Sequence, residues 1–172
     1  GQGLDLVTTV TAPVAAPVTE REAEYESVLV ALEGRDFDPE LMSTAKALAA
    51  ERDRAIHVLV FITVPAESPL DVDLPLEQMR AEQVIQEARV AGGRRVEGHW
   101  ERIRAGQAGR RIIDVATEIG SQAIVLPLRA KPASGGLGRT LESVIAERPC
   151  RVIVQSLPAL AADSQKVARQ VA

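Results

Sequence analysis

Aromatic residues and cysteine are scarce in this sequence, and each scarcity excludes a class of protein. Aromatic residues make up 2% of the 172 residues, too few for the stacking platforms that bind single-stranded nucleic acid. The single cysteine, Cys150, excludes an intramolecular disulfide framework. No apolar run reaches the roughly 20 residues of a membrane span. The first residues lack the basic start and apolar stretch of a secretory signal, so we expect neither span nor signal.

Positive charge is also in deficit. The chain has 20 Lys and Arg against 24 Asp and Glu, a net charge of -4. A protein of that sign binds DNA and RNA poorly, because most of the affinity for nucleic acid comes from neutralising phosphates. We therefore expect no nucleic-acid partner.

Residues that carry catalysis or bind metals are few. The two histidines, His57 and His99, lie in predicted strands far apart in sequence, without the ligand spacing of a metal site. Cys150 has no recognisable histidine partner and is interpreted as a small structural residue at a helix–strand junction. The sequence thus predicts no catalytic residue, no metal site and no enzyme.

Strands and helices alternate along most of the chain. Short apolar, β-branched runs predict strands, and apolar residues at helical spacing predict helices. The predicted strands are 28–32, 55–64, 96–104, 123–126 and 152–154, and the predicted helices begin near 39, 76, 109 and 137. This alternation indicates an α/β fold, a doubly wound parallel sheet of five strands with helices on both faces.

The two ends of the chain differ from its middle. Residues 1–24 are rich in Thr, Pro and Ala without a sustained period, and are predicted to be a linker or N-terminal arm. Residues 25–157 form the predicted domain, and residues 158–172 an Ala-rich C-terminal tail.

The segment from 127 to 140 is the most informative part of the sequence. It carries three cations and no acid: Arg129, Lys131 and Arg139. Its glycines, which include Gly136 and Gly138, allow backbone N–H groups to approach a ligand. Such a segment is typical of an anion site at the carboxyl edge of a parallel sheet. A surface loop whose glycines only serve turns is the alternative.

Several short stretches resemble one family. Residues 30–34 (V-A-L-E-G) are similar to V-A-V-D-G-S, residues 103–108 (I-R-A-G-Q-A) to V-R-E-G-D-P, and Pro149-Cys150 to a P-C pair before the last strand. All three belong to the universal stress protein domain, which the chain resembles from Tyr25 to about Ser156. The resemblance implies a nucleotide alpha-hydrolase-like fold, strand order 3-2-1-4-5, and a homodimer through the last strand.

The resemblance is incomplete at the ATP motif. ATP-binding members carry G-x2-G-x9-G-[S/T], where this chain has Pro127 and Ala130 in place of the first two glycines and Arg139 in place of Ser/Thr. Glu33 stands where the family has an Asp. The resemblance therefore implies a degenerate ATP motif that binds its ligand without catalysis. The implied ligand is an adenine nucleotide or a cyclic dinucleotide such as cyclic di-AMP.

A second resemblance concerns the setting of the domain. The Pro-rich stretch 68–75, followed by Arg80-Ala81-Glu82, is similar to stress-protein domains fused to the C-terminus of bacterial amino-acid permeases. It implies a cytoplasmic regulatory domain, tethered to the inner face of the plasma membrane, with the membrane part of the transporter as partner. A stand-alone stress protein that binds ATP and a purely structural dimerisation domain are the alternatives.

Both lines of argument meet at one predicted site, at the carboxyl ends of the strands. The expected ligand-binding residues are Leu32, Glu33, Gly34, Val64, Gly106, Arg129, Lys131, Gly136, Gly138, Arg139 and Thr140.

Overall fold

The computed structural model describes residues 7–10, 24–129 and 136–158. The strands are β1 (Val7–Val10), β2 (Val28–Glu33), β3 (Ile56–Val64), β4 (Val96–Arg104), β5 (Ala123–Arg129) and β6 (Arg151–Leu157). The helices are α1 (Pro39–Leu48), α2 (Pro75–Gly92), α3 (Ala108–Ile119) and α4 (Gly136–Glu147). Lys131 lies outside the described residues, and Arg129, Gly136, Gly138 and Arg139 are described in their backbone only.

The sheet has the order β1-β6-β5-β2-β3-β4. Strands β2 to β6 are parallel to one another. Numbered along the chain, these five strands have the order 3-2-1-4-5, so the predicted doubly wound fold is confirmed. Within the described residues, no helix is long and apolar enough to cross a bilayer.

Strand β1 was not expected. It lies within residues 1–24, the predicted linker or arm, and Val7–Val10 pairs antiparallel with β6 from Val7↔Gln155 to Val10↔Val152. The β-branched sequence V-T-T-V suits a strand. Without β1, β6 would present a free row of backbone N–H and C=O groups, and such an edge favours the addition of a strand.

The core forms two apolar layers, one on each face of the sheet. Alternate residues of the central strand β2 serve the two layers: Val28 and Val30 face α1 and α2, and Leu29 faces α3 and α4. All three are essentially inaccessible to solvent. Burial on both faces explains the continuous apolar run, which an antiparallel sheet with one wet face would not show.

Strand β5 is longer than the sequence predicted. It continues through Pro127 to Arg129, where a loop starting at Pro127 was expected. Beyond Val125, β6 is the only described strand that pairs with β5, since the pairing of β5 with β2 ends at Val30↔Val125. One side of the strand therefore has no ladder to complete, and proline is tolerated in such edge-like positions.

Gly98 of β4 allows a close approach between the sheet and α2. A Cβ atom at this position would lie 2.9 Å from the Val58 carbonyl oxygen and 3.1 Å from Ile85 Cγ2.

Gly98→Ala is expected to lower the free energy of unfolding by about 2 kcal/mol, as over-packed cores do. Chemical denaturation would measure the loss. Val90→Ala, at a side chain 78% exposed, is the control, with a change within about 0.5 kcal/mol. Equal stability of the two variants would contradict this packing.

Candidate functional site

The strand order reverses between β2 and β5, and the two strands separate there. Their pairing covers Val28↔Ala123 to Val30↔Val125 only. Strand β2 nevertheless continues to Glu33 and β5 to Arg129. Parallel α/β folds bind ligands in the crevice that opens at such a reversal, outside the carboxyl ends of the strands. We call the space between residues 31–33 and 126–129 the switch-point crevice.

Glu33 is the last residue of β2 and is held in place from the neighbouring strand. Thr63 Oγ1 donates a hydrogen bond of 2.7 Å to Glu33 Oε1. Arg35 Nη2 lies 3.7 Å from the other carboxylate oxygen. The carboxylate is about two-fifths exposed, so it is fixed in position and still accessible to a ligand that donates hydrogen bonds.

A cleft of about 230 Å³ adjoins Glu33 on the α2 side of the sheet. It is lined by Glu33, Gly34, Arg35, Phe61, Ile62, Thr63, Glu77, Arg80 and Ala81. The sequence placed Glu33 and Gly34 at a site but missed Arg35, Thr63 and Arg80. Arg80 Cγ would lie 3.1 Å from a Cβ atom on residue 34, so glycine there leaves room for the Arg80 side chain. No motif signals this contact, because α2 and β2 are distant in sequence.

Three more of the predicted site residues lie at or just after the carboxyl ends of β2, β3 and β4. The side chains of Leu32 and Val64 are buried, with exposures of 3% and 1%, so only their backbones face the strand ends. Gly106 has φ +87° in the turn after β4. In the sheet, β3 lies between β4 and β2.

The amino end of α4 follows β5. The helix begins at Gly136, so Gly138, Arg139 and Thr140 lie in its first turns, where a start near Leu137 was expected. The first four N–H groups of a helix have no partner within it, and the helix dipole makes that end positive. The backbone at the end of this segment therefore provides donors suited to an anion.

Cys150 lies between α4 and β6, half-buried against the apolar layer of α3 and α4. Burial raises the pKa of its thiol to about 11, because the apolar surroundings disfavour the thiolate. A thiol of this kind is a packing residue and a poor nucleophile. Among the described residues, no group of three His, Cys, Asp or Glu side chains could hold a metal ion.

The sequence suggested two isolated histidines, but in the structure they are in contact with each other. His57 of β3 and His99 of β4 lie on one face of the sheet, with His57 Nε2 2.7 Å from His99 Nδ1. Sequence reasoning missed the pair because strand register brings the two positions together. One signal could have been used. Side chains alternate between the two faces of a strand, so His57 shares a face with Phe61 of β3, and His99 shares a face with Ile103 of β4. Phe61 and Ile103 pack in the same apolar layer, so the two histidines must lie on the same face of the sheet.

Comparisons with known proteins agree with this fold. The sequence model of the universal stress protein family matches residues 24–155, so the chain belongs to the universal stress protein family. No curated protein sequence matches the chain significantly.

Two solved structures show similarity to the chain, and the first of them supports the fold. A universal stress protein from Archaeoglobus fulgidus DSM 4304 has 20% identity and a TM-score of 0.54, with 87% of this chain and 49% of that chain covered. The present chain thus spans about half the length of that protein. A universal stress protein in complex with cAMP has 15% identity and a TM-score of 0.44, with 80% of this chain and 99% of that chain covered.

The environment of Cys150 predicts slow thiol chemistry. With a pKa of about 11, roughly a thousandth of the thiol is ionised at pH 8, so a disulfide reagent should react about 100-fold more slowly than with free cysteine. The rate should rise with pH up to the pKa and become normal once denaturant unfolds the chain. A folded protein reacting as fast as free cysteine would contradict the packing role.

Proposed function

We propose that this universal stress protein domain is a regulatory domain that binds a nucleotide or a related phosphate anion without catalysis. The observation that carries the proposal is the early end of the β2–β5 pairing at Val30↔Val125. Both strands continue past that point, so the switch-point crevice opens where parallel α/β folds bind their ligands.

The charges on the two sides of the crevice support a ligand with two different ends. On one side Glu33 offers a carboxylate that accepts hydrogen bonds from hydroxyl or amino groups. On the other side, the amino end of α4 provides backbone donors. The sequence between β5 and that helix end also carries the cations Arg129, Lys131 and Arg139, a composition that suits phosphate. A nucleotide has this polarity, because its sugar and base donate hydrogen bonds and its phosphate is anionic.

The loop chemistry supports binding over hydrolysis. Pro127 has no N–H to donate to a phosphate oxygen, and Arg139 occupies the position of the family's Ser/Thr after the last glycine of the ATP motif. Two arginines and a lysine instead offer charge-assisted hydrogen bonds to any phosphate group. An adenine nucleotide or a cyclic dinucleotide such as cyclic di-AMP is therefore the ligand that we propose.

The proposed setting is the cytoplasmic side of a bacterial amino-acid permease, with this domain tethered to the membrane part of the transporter. The support is the resemblance of residues 68–75 and Arg80-Ala81-Glu82 to permease-fused domains. Binding in the crevice would shift the domain against its partner. A homodimer through β6 would have to displace β1 or form around it, because β1 lies along that edge.

Calorimetric titration with ATP, AMP, cyclic AMP and cyclic di-AMP at one salt concentration tests the proposal. Arg129→Ala/Arg139→Ala should weaken binding of the preferred ligand at least about tenfold, since each charge-assisted hydrogen bond contributes about 1.5–3 kcal/mol. Arg89→Ala/Arg94→Ala removes the same charge from exposed positions and should leave the affinity within about twofold.

The outcomes separate the alternatives. Equal affinity in both double variants would contradict the crevice as the binding site. Tight ATP binding with hydrolysis would favour a stand-alone ATP-binding stress protein. No binding by any of the four ligands would favour a structural dimerisation domain.

A further inference from the structure

Five side chains form a continuous line across β3, β4 and α3, from Glu97 and His57 near the amino end of β3 to Arg111 of α3. His57 Nδ1 lies 3.2 Å from Glu97 Oε1, and His57 Nε2 lies 2.7 Å from His99 Nδ1. His99 Nε2 lies 2.7 Å from Glu101 Oε2. Arg111 donates to both oxygens of Glu101, at 2.8 and 2.9 Å.

The number of protons on the two imidazole rings follows from these contacts. Each carboxylate accepts only, so His57 Nδ1 must carry a proton toward Glu97 and His99 Nε2 a proton toward Glu101. Neutral rings would then present two lone pairs to each other across 2.7 Å. That short contact is attractive only when a further proton lies between the two nitrogens. The full line of contacts therefore needs one proton more than two neutral imidazoles have.

We infer that His57 and His99 form a single-proton site, in which one proton shared between His57 Nε2 and His99 Nδ1 joins β3 to the edge strand β4. A second extra proton cannot bind while the rings remain in contact. Both His57 Nε2 and His99 Nδ1 would then carry a proton and face each other at 2.7 Å, and two positively charged imidazolium rings would lie side by side. The pair takes up protons as one unit.

At the α3 end of the line, the Glu101 side chain stays ionised. The two hydrogen bonds from Arg111 lower the pKa of Glu101, so this group stays a carboxylate and keeps the proton on His99 Nε2. Asp114, at 3.7 Å from Arg111, and Glu118 act electrostatically on that arginine from α3 and support its charge.

The contact between Glu97 and His57, at the other end of the line, is weaker. It is therefore the contact that breaks when the shared proton leaves. The Glu97–His57 contact is the longest of the three histidine contacts, and the Glu97 side chain is 41% exposed. Arg54, from the turn before β3, lies 3.7 Å from Glu97 and offers it another partner. When the shared proton leaves, His57 keeps one proton for His99, and Glu97 is released toward Arg54 and solvent.

Burial sets the direction of the pH dependence. Desolvation lowers the pKa of His57 below its usual value, and the neighbouring His99 lowers it further, against the raising effect of Glu97 and Glu101. At low pH the folded pair thus holds one proton more than two neutral imidazoles, whereas the two histidines of the unfolded chain hold two more. A state that binds fewer protons loses stability as pH falls. This contribution to stability is complete above the ordinary histidine pKa, about 6.5, and declines below it.

Two-bond ¹H–¹⁵N NMR of the imidazole nitrogens, from about pH 8 to about pH 5 with a chelator present, tests the inference. His57 and His99 should report one common midpoint and the uptake of one proton, with His99 Nε2 protonated throughout. In His99→Asn, His57 should titrate alone with a different midpoint. Glu87→Gln, on the exposed face of α2, is the control and should leave the common midpoint unchanged.

Two separate midpoints with one proton each, in the wild-type protein, would overturn the inference. So would a His99 that carries its proton on Nδ1 throughout.

Stability provides a second readout. Between about pH 6 and pH 5, the unfolding equilibrium constant of the wild type should rise about tenfold more per pH unit than that of His57→Gln/His99→Gln, since one proton separates the folded and unfolded states. Parallel curves for the two proteins would also overturn the inference.

Discussion

Burial of the parallel sheet on both faces is the constraint on which the rest of the structure depends. Strand β2 pairs with β3 along its whole length and with β5 over its first half, and helices cover it above and below. No polar side chain can be accommodated along such a strand without a partner. The first available positions for polar side chains are therefore at its carboxyl end, where Glu33 and Gly34 begin the candidate site.

The edges of the sheet, unlike its centre, can carry polar and charged side chains. Among the described strands, β4 has a neighbour on one side only, so it is reached by water and carries charged residues along both faces. On the α3 face this freedom yields the line of contacts from Glu97 to Arg111, with the two histidines at its centre. At the far edge β1 covers β6. The central strands thus position the candidate ligand site, and the edge strand β4 together with His57 of β3 holds the proposed proton site.

The sequence contained enough information for the elements with strong local signals. The start of α1 is one case: a helix beginning near 39 was predicted, and α1 begins at Pro39. Asp38 caps it by accepting a hydrogen bond from the Glu40 N–H at 2.9 Å. Contacts that depend on register or on helix docking could not be predicted. The His57–His99 pair is set by the alignment of β3 with β4, and the approach of Arg80 to Gly34 by the docking of α2.

The most direct test of the account is to map the binding site by backbone NMR, with ATP and cyclic di-AMP as separate probes. Perturbed amides at Glu33 and Gly34, at the end of β5 and in the first turn of α4 are the result that the account predicts. Perturbations confined to another face, such as the exposed side of α2, or none at saturating ligand, would contradict the switch-point crevice as the functional site of this universal stress protein domain.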